Sequence, residues 1–251
     1  MVTGLWAKIH KWLALLMAVQ ILFWFASGLF FAWFPIETVR SEHAKAEQVA
    51  PPVPLDEAAA GLARLRAAGV AGAETVEVRR LLGRPVALLR AGERPPVVYD
   101  LTDGRQLSPI PMTLAAQIAE ADHAGDLRAA RVSRITEETT EYRAALPAWR
   151  VDFDDGANRA IYVAADTGQV TARRSTLWRT YDFLWGLHIM DWRGHEDFNS
   201  LLLVVTTVLG LIVIATGIIM FPSRLGYSAW RRRRRALKLN GGQRPADGLP
   251  G

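Results

Sequence analysis

The sequence predicts a membrane protein of the α+β class: two transmembrane helices flank a periplasmic tandem domain in which a helix packed on a small antiparallel sheet occurs twice. Three observations carry this. Leu201 to Phe221, LLLVVTTVLGLIVIATGIIMF, is 21 residues without a charge; as a helix it reaches about 30 Å, the hydrocarbon thickness of a bilayer. Trp12 to Phe34 is a second apolar run, broken only by Gln20 and Ser27 and ended by Pro35. Between the two, one pattern of helix and strands reads twice.

Composition sets the outer bounds. Half of the 251 residues are hydrophobic and 22% are charged, which leaves room for two spans and small domains but not for a many-span bundle. The net charge of +5 is concentrated at the ends. Residues 1–12 carry Lys8 and Lys11 (+2), residues 223–251 carry eight cations and Asp247 (+7), and the remainder has 20 cations against 24 acids (−4). The basic balance therefore belongs to the tails, and a nucleic-acid partner is excluded as the reading of the arginine run. Without cysteine there is no disulfide framework, thiolate site or zinc ribbon.

Each element follows in order. Phe30, Phe31, Trp33 and Phe34 occupy the place where a signal peptidase needs small residues, so the first run reads as an uncleaved signal anchor. Pro222, Arg224 and the block Arg231 to Arg235 follow the second run, and cations are retained in the cytoplasm. With Lys8 and Lys11 on the same side, the topology is N-in and C-in in a bacterial inner membrane, with residues 36 to about 198 outside. Trp6, Trp12, Trp33, Trp192 and Trp230 flank the spans, as rings that settle at the bilayer interface do. Gly210 and Gly217 share a face of the second span and allow close helix packing.

The segments are a cytoplasmic tail (1–11), a span (12–34), a stiff Pro-rich linker (35–55), two repeats (56–110 and 111–175), an aromatic segment (176–199), a span (200–222) and a basic tail (223–251). In the first repeat, Asp56 to Ala68 forms a helix capped by Asp56 and stopped by Gly69. Strands follow at Thr75–Leu82, Pro85–Leu89 and Val97–Leu101. In the second, a helix over Thr113–Ala121 precedes strands at Ala130–Ile135, Trp149–Phe153 and Ala160–Val163. Each repeat closes in a turn: Tyr99 leads to Asp103-Gly104 and Tyr162 to Asp166-Thr167-Gly168. The repeat has a period of about 62 residues, with Tyr99 set against Tyr162 and one residue inserted before the second turn.

The closing hairpin Ile161-Tyr162-Val163-Ala164-Ala165-Asp166-Thr167-Gly168-Gln169-Val170 resembles that of a PepSY domain. His10-Lys11-Trp12-Leu13-Ala14-Leu15 and Leu187-His188 are similar to recurring elements of the membrane helices associated with PepSY domains, although Ala14 stands where many members have Gly. The resemblance covers roughly residues 5–222. It implies either an inhibitory or chaperone-like binding role, as in peptidase propeptides, or a membrane function. In larger four-span members, linked to iron uptake and siderophore reduction, it implies haem bound by histidines of the spans.

The richest stretch is Leu177 to Asn199. Read as one helix, it places Trp178, Tyr181, Trp185, His188 and Trp192 on a single face. Two readings stay open: an interfacial amphipathic helix feeding the last span, or a b-type haem held by His188 among aromatic rings. His10, at the opposite end of the bilayer, cannot share that iron. A second axial ligand would be His195, or His188 of a second copy in a homodimer with four spans. His10 otherwise reads as an interfacial residue beside Lys8 and Lys11. His195-Glu196-Asp197 reads as a solvated loop, Glu137, Glu138 and Glu141 as solvated charge, and Asp152, Asp154 and Asp155 as a turn. No catalytic set is present. The leading expectation is a non-catalytic protein that binds or regulates a periplasmic or membrane partner; the alternative is a haem protein of electron transfer in iron or siderophore uptake.

Overall fold

The computed structural model describes residues 2–47 and 51–224. The arginine block Arg231 to Arg235 and Trp230 lie outside the described residues. In chain order the elements are α1 (Val2–Trp33), α2 (Ile36–Val39), α3 (Leu55–Ala67), β1 (Thr75–Leu81), β2 (Arg84–Arg90), β3 (Val97–Asp100), α4 (Met112–Asp122), β4 (Ala129–Ile135), β5 (Ala148–Phe153), β6 (Ala160–Ala164), β7 (Val170–Arg174), α5 (Thr176–Ile189) and α6 (Leu201–Arg224). They form two compact units, divided near Gly28 in α1 and after Gly186 in α5.

The first unit is built on the two helices long and apolar enough to cross a membrane, Gly4–Trp33 and Leu201–Phe221. They run antiparallel. A Cβ at Gly210 would lie 3.6 Å from Trp24 and 3.7 Å from Met17, and one at Gly217 would lie 3.3 Å from His10, so α6 positions fall as α1 positions rise. The small residues thus allow close backbone approach. Met17, Ser27, Thr206, Val213 and Thr216 are buried, while most other large apolar side chains of both helices are exposed, as lipid-facing residues are. Helix α6 runs through Pro222 to Arg224 instead of ending before the proline.

The second unit stacks its layers around α4. Strands β1-β2-β3 make one antiparallel sheet and β4-β5-β6-β7 another. One core joins them: Val86, Leu88 and Val98 of the first sheet, Ile110, Ala115, Ile118 and Ala119 at and on α4, and Val151, Phe153, Ile161 and Val163 of the second. Period-two alternation sends the other parity of the first sheet, Ala87 and Tyr99, to Leu65 of α3. Both faces of the first sheet are therefore covered, and the repeats share a core instead of folding as two separate layers. Pro54, not Asp56, holds the position before α3, and Asp56 falls in the first turn, where its charge still favours the helix dipole. Gly69, at φ +84°, ends α3, with Val70 N–H donating to Leu65 O at 3.0 Å.

The internal repeat is written in the backbone. Leu101 N–H donates to Pro85 O and Ala165 N–H to Pro147 O, both at 2.9 Å; Gly104 N–H donates to Asp100 O and Gly168 N–H to Ala164 O, both at 2.8 Å. The Asp103 carboxylate accepts from Arg105 N–H, as the Thr167 hydroxyl accepts from Gln169 N–H. Both glycines have positive φ, +76° and +67°, which only glycine adopts without strain. This pairing corrects the register read from sequence. Tyr99 is equivalent to Val163, Tyr162 to Val98, and Asp103 to Thr167; the tyrosines do not correspond. A slip of one residue exchanges faces, so Tyr99 turns to α3 while Tyr162 stacks on Tyr142 (centroids 4.6 Å). Strand β7, which the sequence pattern did not reveal, completes the second sheet.

The segment after α1 is not a free tether over its described length. Val39, Ser41 and Ala44 are buried, Ala46 N–H donates to Asp122 O at 2.7 Å, and Ala124 N–H donates to Ala44 O at 2.9 Å.

Candidate functional site

Helix α5 belongs to both units, and the polar groups that matter gather around it. Its first turns are fixed by Glu141. That carboxylate accepts from Arg150 Nη1 at 2.6 Å, from the Tyr162 hydroxyl at 3.0 Å and from Arg179 of α5, while Arg174 donates to the Glu141 carbonyl at 2.7 Å. Burial alone pushes the Glu141 carboxyl up, but Arg150 and Arg179 with the bonds from Arg179 and Tyr162 outweigh it and hold it below the usual carboxylate range. Burial and the same carboxylate push the Tyr162 phenol up to about 12. Glu141, which the sequence places in solvated charge, is the hub of the domain.

The last turn of α5 is held by α1. Helix C-termini leave carbonyls without intrahelical partners, and here Trp24 Nε1 donates to His188 O at 2.8 Å and Gln20 Nε2 to Leu187 O at 3.5 Å. The His188 ring meets Ser27: Nδ1 lies 2.7 Å from the hydroxyl oxygen. That hydroxyl has one proton and gives it to Phe23 O at 2.6 Å, so by inference it accepts from His188 Nδ1–H. Neutral His188 then carries its lone pair on Nε2. The same device recurs at the far end of α1. Thr216 donates to Ile212 O at 2.7 Å and accepts from His10 Nδ1 at 2.9 Å. His10 is thus directed at α6 and is not simply a surface neighbour of Lys8 and Lys11.

Other candidates separate. His195 Nδ1 bonds the Asp182 carboxylate at 2.6 Å, and Arg143 donates to Gly194 O. Asp191 accepts from the backbone N–H groups of Glu196 and Asp197, so this loop is internally ordered. Tyr181 and Trp185 pack on Phe31 with centroids at 4.6 and 5.8 Å, and Trp178 lies under the Arg174 guanidinium at 3.9 Å. Trp192 leaves this face: α5 stops at Ile189, Met190 takes φ +58°, and Trp192 is 63% exposed. Asp155 caps Arg159 by backbone and side-chain bonds, which is a turn role. No group of three or more His, Asp or Glu side chains is arranged to hold a metal among the described residues.

Ser27, Trp24, Gln20 and Thr216 are the residues that sequence reasoning passed over. Gln20, Trp24 and Ser27 stand at i, i+4 and i+7, a helical stripe of hydrogen-bonding side chains inside an apolar run. That stripe was the available signal, although nothing local says what it faces.

Among the described residues, two antiparallel apolar helices and an α+β domain of two antiparallel sheets define a class of membrane protein with a folded polar domain. Residues 7–240 match the PepSY-associated TM region family, and the chain belongs to that family. Comparison with curated proteins and with solved structures gives no match.

Proposed function

We propose that the chain is an inner-membrane PepSY protein, N-in and C-in, whose periplasmic domain binds a ligand or partner in a regulatory, non-catalytic role. The observation that supports this is the double attachment of α5. One end is ion-paired to the domain through Arg179 and Glu141, and the other is hydrogen-bonded to α1 through His188 and Trp24. A change of state in the domain then has a continuous helix along which to act on the span. The chain contains no natural cysteine, so the outward placement is tested with one introduced thiol. Asp103→Cys, at an exposed turn, should be labelled in intact cells by a membrane-impermeant maleimide. Labelling only after the membrane is broken would refute the reading.

The geometry at His188 favours a second reading, a b-type haem held for electron transfer connected with iron or siderophore uptake. A histidine whose Nδ1 is bonded to a fixed hydroxyl, as His188 is to Ser27 at 2.7 Å, has its ring oriented in the way an axial ligand is by its orienting partner. Such a haem would supply one-electron transfer; the protein would orient the ligand ring through Ser27. The fit is one-sided. His10 lies 17 residues from Ser27 on α1, about 25 Å along the axis, and His195 Nδ1 is engaged with Asp182. In this reading the second axial ligand is His188 of another copy. Full-length protein made with ample haem should show a Soret band that His188→Gln abolishes and His10→Gln leaves in place. No band in the wild type, or an undiminished one in His188→Gln, would end this reading.

A further inference from the structure

Between the two repeats lies a cavity of about 260 Å³, open to solvent, whose wall carries Lys45, Arg79, Arg80 and Arg173 against one acid, Asp122. Two of the cations are already satisfied. Arg173 grips Asp122 with Nε and Nη2, both at 2.5 Å, and Arg80 donates to Glu57 at 3.0 Å, Gly83 O at 3.0 Å and Pro51 O at 3.1 Å. The other two are not. Lys45 makes no ion pair among the described residues, and the guanidinium of Arg79 meets only a carbonyl, Thr167 O at 2.5 Å. Its Nε is buried without a hydrogen-bond partner. A buried donor left unpaired costs free energy, and the more so on a charged group. Burial, only partly countered by Glu77, lowers the Arg79 pKa, as expected for a cation that lacks a counter-ion.

We propose that this cavity is a binding site for a small dianionic oxyanion, held by Arg79 and Lys45. Two uncompensated cations match two negative charges. A guanidinium supplies directed N–H donors suited to phosphate or carboxylate oxygens, and an ammonium adds a mobile point charge. The volume suits a molecule the size of phosphate or a short dicarboxylate, not a polymer. The elements that build the site come from both repeats and from the segment after α1: Lys45 precedes α3, Arg79 is on β1, and the Gly168 turn closes the far side. The site therefore exists only because the domain is duplicated, and a bound anion would tie the repeats together. This assignment names the ligand class of the binding role above and rests on that reading.

The test uses full-length protein in a nonionic detergent, titrated calorimetrically with inorganic phosphate and separately with malonate. One saturable site is expected for at least one of them, weakened by added salt. Arg79→Gln and Lys45→Gln should each weaken it roughly ten- to a hundredfold, the loss expected for a charge-assisted contact. Arg131→Gln, at an exposed position on β4, should not change it. Circular dichroism checks that the variants fold, and Arg79→Lys, which keeps the charge but not the fork, should recover part of the loss. A lipid headgroup as the source is distinguished by nanodiscs: if phosphatidylglycerol discs, but not phosphatidylcholine discs, block phosphate binding, the site takes lipid phosphate. The proposal is overturned if neither anion binds saturably, or if Arg79→Gln and Lys45→Gln both bind like wild type. Should Asp103→Cys be labelled from outside while no anion binds, the binding role survives and the ligand class falls. Should the labelling fail while an anion binds saturably and Arg79→Gln weakens it, the outward placement falls and the anion site stands.

Discussion

Gly61→Val should cost the α+β domain about 3 kcal/mol or more, an overpacking penalty at the upper end of the usual range. A Cβ at Gly61 would stand 2.6 Å from Leu101 Cβ and 2.9 Å from Leu101 Cδ2. The nearer contact cannot be relieved by rotating the leucine, because Cβ moves only with the backbone, and Leu101 N–H is bonded to Pro85 O in the turn that closes the repeat. Leu101 is also 2% exposed, so it has nowhere to go. Gly61→Ala makes the same clash but regains about 1 kcal/mol of helix propensity, so it should destabilise less than valine. Gly156→Ala, where nothing lies within 4 Å, should stay within about 0.5 kcal/mol of wild type. Urea unfolding of the detergent-solubilised protein ranks the three. If Gly61→Ala is more stable than wild type, α3 does not approach the turn this closely.

The spans were legible because a bilayer imposes one long, simple requirement on sequence, and Leu201 to Phe221 meets it without exception. The helices and most strands of the domain were legible from period and punctuation. What failed was register. Tyr99 and Tyr162 are the more conspicuous residues of the two hairpins, yet Gly104 and Gly168 are the pair that the backbone needs, since only they must take positive φ. Aligning the ungapped turn from its glycine outward would have placed Tyr162 opposite Val98. Glu141 was misread for a different reason. It sits in an acidic stretch with Glu137 and Glu138, and its partners Arg150, Tyr162 and Arg179 come from β5, β6 and α5. Only tertiary structure brings them to one point.

The candidate site shows the same division. His188 stood out as a histidine ahead of an apolar run, but its orienting partner Ser27 lies 161 residues away and looked like a tolerated polar break in a span. The end of α5 was hidden because Met190, not the later Gly194, takes the left-handed conformation. That choice removed Trp192 from the aromatic face. Polar residues inside a span are expensive where they face lipid, so Gln20 and Ser27 at one helical stripe are informative once another chain segment is known to cover them.

Glu141→Gln should have the broadest consequence, because it removes the charge shared by two arginines while keeping the shape of the side chain. Arg150 retains the Asp152 carboxylate at 2.8 Å, but Arg179 loses its carboxylate partner and keeps only neutral acceptors, the Asn158 carbonyl and the new amide oxygen. Removing one partner of a fully buried pair costs about 3–5 kcal/mol, and the arginines here are 29% and 32% exposed, so screening reduces this to about 2–3 kcal/mol. The pH dependence fixes the sign. The folded pKa of Glu141 lies below its unfolded value, so the ionised group stabilises the fold above about pH 4.3 and that contribution is lost as pH falls through the folded pKa. Wild type and Glu141→Gln should converge in acid and separate toward neutrality. Tyr162 acts with opposite sense: its folded pKa, about 12, exceeds the unfolded value, so its contribution is complete below about pH 10 and disappears as pH rises through 12. Hydrogen exchange on the full-length variant then reads the coupling through α5. Amides of residues 185–190 should lose protection in Glu141→Gln although none of them touches the substituted side chain. Unchanged protection there, with stability lowered as expected, would mean that the hub only holds the domain together and that α5 transmits nothing to the span.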